Sequence, residues 1–135
     1  MLKHSTYFNI KWLIIAVVFT AIVILLTHIP EDAMPPQLQV IGLDKLAHIL
    51  AYGAITYLFV LSLRTCPTML SASLLFFAIL TVGAVDKFTQ PLVNRTASLA
   101  DWLANVIGIF TVLLFSIILK PGPQSTLSKN PMTET

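Results

Sequence analysis

The chain has 135 residues, of which 56% are hydrophobic and only 10% charged, with a mean hydropathy of +0.86. Soluble domains carry about 25% charged residues, so this composition excludes a water-exposed globular surface and points to an integral membrane protein of one domain. The formal net charge is only +2, and no Lys/Arg cluster suits a nucleic-acid partner; the basic residues read as topology markers.

The first apolar run covers residues 10–29. It is close to the roughly 20 residues that cross a bilayer core as a helix, and helix is the form that satisfies its own backbone in lipid. Lys3 and Lys11 precede the run as in a signal peptide. It is long for such a segment, however, and Thr27-His28-Ile29-Pro30 lacks a small-x-small cleavage site, so a retained helix is expected. Pro30, Pro35 and Pro36 end it and open a loop to Gly42.

The second run, 43–63, carries its charges at the start. Arg64-Thr65-Cys66-Pro67 then forms a tight turn. Cys66 is the only cysteine, so an intrachain disulfide is excluded and a free interfacial thiol is expected. The third run covers 68–85, with Pro91 and Asn94 interrupting the connection that follows. The fourth covers 99–119 and stops at Lys120-Pro121-Gly122-Pro123. The expected fold is all-α, an integral membrane bundle of four transmembrane helices over residues 1–119, with a polar, disordered tail over 120–135. Ala47 and Ala51, then Ala100, Ala104 and Gly108, form small-xxx-small patterns that permit close helix approach in lipid.

Placing both termini in the cytoplasm puts Lys3, Lys11, Arg64, Lys120 and Lys129 inside, and Lys45, Lys87 and Arg95 outside. Trp12 and Trp102 then mark the inner and outer interfaces. The start of the second helix, the end of the third and the start of the fourth all fall at one membrane face. Three polar segments converge there, and ionisable groups at membrane depth are costly enough to mark a site.

Asp44, His48 and Tyr52 are spaced four apart and share one helix face. Tyr52 lies about 12 Å deeper than Asp44 at a rise of 1.5 Å per residue. Asp44 also suits a helix N-terminus, and Tyr52 suits aromatic packing; His48, inside the span, has the weaker structural explanation. Asp86 falls at the end of the third run, where the helix dipole disfavours a negative charge. It therefore requires compensation from Lys45, Lys87, Arg95 or a protonated His48. Gln90 lies one turn beyond it. Ser98-Leu99-Ala100-Asp101 reads as a capping-box-like helix start. Asn105, one turn deeper on the same face, is not explained by capping, and a buried amide needs partners.

These spacings resemble the VanZ-like family of small bacterial membrane proteins. The resemblance rests on Asp44-Lys45-x-x-His48-x-x-x-Tyr52, on Asp86-x-x-x-Gln90, and on Arg95 followed by Asp101-x-x-x-Asn105-x-x-Gly108. It covers residues 40–115. It implies a multi-pass protein of the bacterial inner membrane with a cell-envelope role, and it suggests a link to teicoplanin resistance. One position departs: many members carry an acid where this chain has Lys87.

Three uses of the cluster follow from the residue types. Lys45 and Arg95 could grip an anionic headgroup, of a membrane lipid or a lipid-linked cell-wall precursor, with two helix N-termini aimed at it. In that reading Asp44, Lys45, His48, Tyr52, Asp86, Gln90, Arg95, Asp101 and Asn105 form a ligand-binding site without cofactor or metal. Alternatively, His48, Asp86 and Asp101 could hold a divalent metal, or His48 could act as a base oriented by a carboxylate, in a hydrolase or transferase. Third, the charges could form an internally satisfied network that locks the helices and leaves another surface for a membrane-protein partner.

Overall fold

The computed structural model describes residues 9–33, 42–63, 65, 67–96 and 98–119. Expectations that concern Lys3, Pro35, Pro36, Arg64, Cys66, Lys120, Lys129 and the 120–135 tail lie outside these residues. The described part contains four long helices: α1 (Ile10–Thr27), α2 (Leu43–Ser62), α3 (Met69–Thr89) and α4 (Leu99–Ile118). Each is long and apolar enough to cross a membrane, so the chain is a multi-pass, all-helical membrane protein. Short 3-10 turns follow α1 at Glu31–Ala33 and α3 at Gln90–Val93.

Local chemistry sets the helix starts. Asn9 caps α1, its side-chain oxygen accepting the Lys11 N–H at 3.2 Å. Thr68 and Ser71 cap α3 reciprocally, each side chain meeting the other's backbone N–H. At α2 the cap is Gly42, in the left-handed region at φ 96°, where a Cβ would be strained. Asp44 turns back to accept the Gly42 N–H at 3.2 Å. Asp44 thus stands in the first turn of α2 rather than at the cap, where its charge still suits the helix N-terminus.

Helix α3 runs one turn further than its apolar run. It passes Asp86 and ends at Thr89, and Pro91 then sits in the 3-10 turn, where its missing N–H costs nothing. Asn94 closes this segment in the left-handed conformation at φ 55°, its N–H reaching the Gln90 and Pro91 carbonyls, a geometry asparagine tolerates better than most residues.

α2 and α4 form the central pair, α1 lies on α2, and α3 packs mainly on α4. The α2–α4 seam is backbone-close. A Cβ on Gly108 would run into the Ile49 carbonyl oxygen and stand 3.0 Å from Gly53 N. Of the small residues singled out in the sequence, Gly108 and Ala104 are buried, whereas Ala47 and Ala100 are exposed, and Gly53 completes the seam. The apolar core is Val23, Tyr52, Ile55, Ala72, Ile79, Ile109 and Leu113. Large apolar side chains cover the outside, Phe88 and Leu92 being 84% and 81% exposed. That pattern suits lipid as solvent, where an apolar exterior carries no penalty.

Candidate functional site

The C-terminal ends of α1 and α3 and the N-terminal ends of α2 and α4 meet at one end of the bundle. The polar residues collected there form two linked networks. The first is built on Asp86, which is 2% exposed. Gln90, one turn on, donates from Nε2 to Asp86 Oδ2 at 3.1 Å. From α1, Thr27 donates its hydroxyl to Asp86 Oδ1, and His28 Nδ1 lies 3.4 Å from the same oxygen. The Thr27 hydroxyl also sits 2.8 Å from the Ile24 carbonyl, but a charged acceptor is the stronger partner for its one hydrogen. His28 Nδ1 faces the Ile24 carbonyl at 2.8 Å and Nε2 meets the Thr89 hydroxyl at 2.9 Å.

The sequence led us to expect compensation of Asp86 by Lys45, Lys87, Arg95 or His48. The structure instead gives Asp86 two neutral donors and His28. The reason is helix order. The end of α1 stands against the end of α3 at this level, so Thr27 and the capping His28 reach the carboxylate first. Thr27 and His28 were missed as site residues. Their signal was available: they are polar, they end the first span, and antiparallel topology puts that end beside the other motifs.

The second network is built on Asp101. Lys87 donates from Nζ to Asp101 Oδ2 at 3.1 Å and to Gln90 Oε1 at 3.2 Å. His48 Nε2 lies 3.7 Å from Asp101 Oδ2, and Lys45 Nζ lies 3.9 Å from Oδ1. Ser98 makes no side-chain cap bond at α4, so the carboxylate of Asp101 is not spent on a capping box. It neutralises Lys87, which is only 8% exposed and would be a costly cation without it. Gln90, fully buried, joins the two networks, giving its amide hydrogens to Asp86 and its oxygen to Lys87.

Among the described residues, Arg95 forms no ion pair with an acid. Its Nη1 donates to the carbonyls of Leu26 and Ile29, each at 3.3 Å. It caps the end of α1, where the carbonyl dipoles favour a cation. Lys45 pairs with its neighbour Asp44 at 3.0 Å, both about half exposed, a pair worth about 0.2–1 kcal/mol. Tyr52, 1% exposed, and Asn105, fully buried, lie deeper, beside Gly83 of α3.

A recess of about 230 Å³ opens between α1 and α2 at this end. Its polar lining is Thr27, Asp44, His48 and Arg95; its apolar wall is Val23, Leu26, Leu43, Ala47 and Ala51. Of the nine residues expected to form the binding site, Asp44, His48 and Arg95 line this recess. Lys45, Tyr52, Asp86, Gln90, Asp101 and Asn105 are not part of its lining: Asp86, Gln90 and Asp101 engage the networks, Lys45 pairs with Asp44, and Tyr52 and Asn105 are buried deeper between α2, α3 and α4. No group of three or more His, Cys, Asp or Glu side chains is placed to hold a metal among the described residues, and Asp86 stands in a different network from His48 and Asp101.

Compared with protein-family models, curated proteins and solved structures, the chain matches none.

Proposed function

We propose that this chain is a VanZ-like protein of the bacterial inner membrane, with both termini cytoplasmic, that binds an anionic lipid or envelope-precursor headgroup in the recess between α1 and α2. The observation that carries this reading is the mixed lining of the recess. An apolar wall from Val23 to Ala51 continues the lipid-facing surface, and a polar end offers the Arg95 guanidinium and the His48 ring. At about 230 Å³ the recess is below the roughly 300–1,000 Å³ of drug-sized pockets, so it takes a headgroup and leaves the acyl chains in the bilayer. Arg95 is held by the Leu26 and Ile29 carbonyls, which fixes the planar fork before a ligand arrives. That fork suits a phosphate or carboxylate better than an ammonium does. A role in the cell envelope, including glycopeptide resistance, follows from the motif resemblance.

The continuous chain of hydrogen bonds from Thr27 through Asp86, Gln90 and Lys87 to Asp101 favours the structural reading for those residues. It fastens α1, α3 and α4 together, and in this proposal it holds the recess walls in place.

The test is lipid co-purification in mild detergent, read by mass spectrometry. Wild type should carry an enriched anionic or polyprenyl lipid, and Arg95→Ala should lose it. Arg95→Lys should also bind more weakly, despite keeping its charge. Absence of enrichment in wild type would leave the network reading alone. Enrichment surviving Arg95→Ala would place the lipid elsewhere.

A further inference from the structure

Three polar atoms on one face of α4 are buried without a hydrogen-bonding partner from the described residues: Asp101 Oδ1, Asn105 Oδ1 and Asn105 Nδ2. Asp101 and Asn105 are one turn apart, and Asn105 is 0% exposed. A buried polar group left unpaired costs about 1–3 kcal/mol, and in lipid no bulk water is at hand to reduce that. Two amide atoms without a hydrogen bond, one turn from a carboxylate oxygen whose ion-pair partner Lys45 stands too far off at 3.9 Å to hydrogen-bond it, therefore point to a partner from outside these side chains.

The surroundings define what fits. The ideal Cβ position of Gly83 is 3.3 Å from the Tyr52 hydroxyl and 3.4 Å from Asn105 Nδ2. Tyr52, Gly83 and Asn105 thus converge on one spot between α2, α3 and α4, with Asp101 one turn above. The unpaired set includes a donor, Nδ2, as well as two acceptors. A cation would satisfy only the acceptors. It would also sit beside Lys87, which is 3.1 Å from the other Asp101 oxygen, and near Lys45. Water both donates and accepts, and internal water serves this purpose in protein interiors, typically with two to four hydrogen bonds.

We propose that Asp101 and Asn105, with Tyr52, form an internal hydration site in which ordered water bridges the Asp101 carboxylate to the Asn105 amide inside the bundle. The site is separate from the recess. His48 is the side chain between them, lining the recess on one side and lying 3.7 Å from Asp101 on the other. Asp101 and Asn105 then hold water, and the headgroup is left to Arg95 and His48.

Solid-state NMR on the full chain, labelled with nitrogen-15 and reconstituted in deuterated lipid, reads water-to-amide magnetisation transfer directly. The Asn105 side-chain amide is identified by its loss in Asn105→Leu. Should that variant not accumulate, sequential assignment from Ala104 identifies it instead. The expected result is transfer from water to that amide several-fold faster than to the backbone amide of Ile109, which is also 0% exposed. Transfer no faster than at Ile109 would overturn the proposal, because the amide would then be paired within the protein. An Asn105 signal that shifts when sodium replaces potassium in the buffer would overturn it in favour of a cation.

Discussion

At Asp86 a single carboxylate organises donors from two helices. Removing it orphans the Thr27 hydroxyl and the Gln90 amide and leaves His28 without its acid. Asp86→Ala is expected to cost about 1–3 kcal/mol for each buried donor left unpaired. Asp101→Ala should cost about 3–5 kcal/mol, the range for breaking a buried pair from one side, because Lys87 is left buried and uncompensated. Had Asp101 only capped α4, the loss would be about 1 kcal/mol. Unfolding of the two variants in mixed micelles distinguishes these outcomes, and a small loss at Asp101 would show that Lys87 finds another partner. The double variant Lys87→Met with Asp101→Leu should recover much of the loss, since replacing both members of a buried pair by apolar groups is often neutral or stabilising.

Among the elements, the α2–α4 seam is the least forgiving. A Cβ on Gly108 meets backbone, the Ile49 carbonyl and Gly53 N, and backbone cannot rotate out of the way as a side chain can. Gly108→Ala is expected to cost about 1–3 kcal/mol or more through overpacking. At Gly83 the added Cβ would stand 3.1 Å from a ring carbon of Tyr52. The ring can shift by a few tenths of an ångström, so Gly83→Ala should cost less than Gly108→Ala. Thermal or denaturant unfolding in one detergent gives the ranking, and the reverse order would mean that the seam opens more readily than its backbone contacts imply. Arg95→Gln should loosen α1, whose last carbonyls lose a charged donor; faster proteolysis after residue 29 in the variant than in the wild type is the readout.

For the whole molecule, the proposed orientation predicts reporter activity. A periplasm-active enzyme fused between residues 36 and 42 should be active and one fused after Lys129 silent. The opposite result would put the recess at the cytoplasmic face. The spans and the meeting of the motifs were legible in the sequence because both depend on composition and on the alternation of direction along the chain. Pairing within the cluster was not legible, because it depends on which helix stands beside which. Asp86 faced α1 rather than the cations of its own region, so His28 and Thr27 went unread. Lys87 pointed across to α4, so a residue that read as a departure from the family pattern became the partner of Asp101. Arg95 spans from the loop before α4 to the end of α1, a contact that no local spacing announces. Asn105 was legible as an amide in need of partners, but the described residues give neither of its polar atoms a hydrogen bond, so the expected pairing with the rest of the cluster is not seen.

The close seam between α2 and α4 also constrains how the protein is made. α2 is the least apolar of the four spans, and its buried face carries His48, Tyr52 and Thr56. Its principal partner, α4, leaves the ribosome only after α3. For the whole interval in which α3 is synthesised, α2 has neither Gly108 to pack against nor Asp101 to meet His48. A marginal span in that position needs a protein surface to wait beside, and the membrane insertion machinery is the surface at hand. Nascent chains halted before α4 should therefore cross-link to the insertase through α2 and be degraded on release, whereas chains extended past α4 should leave it together with their partner.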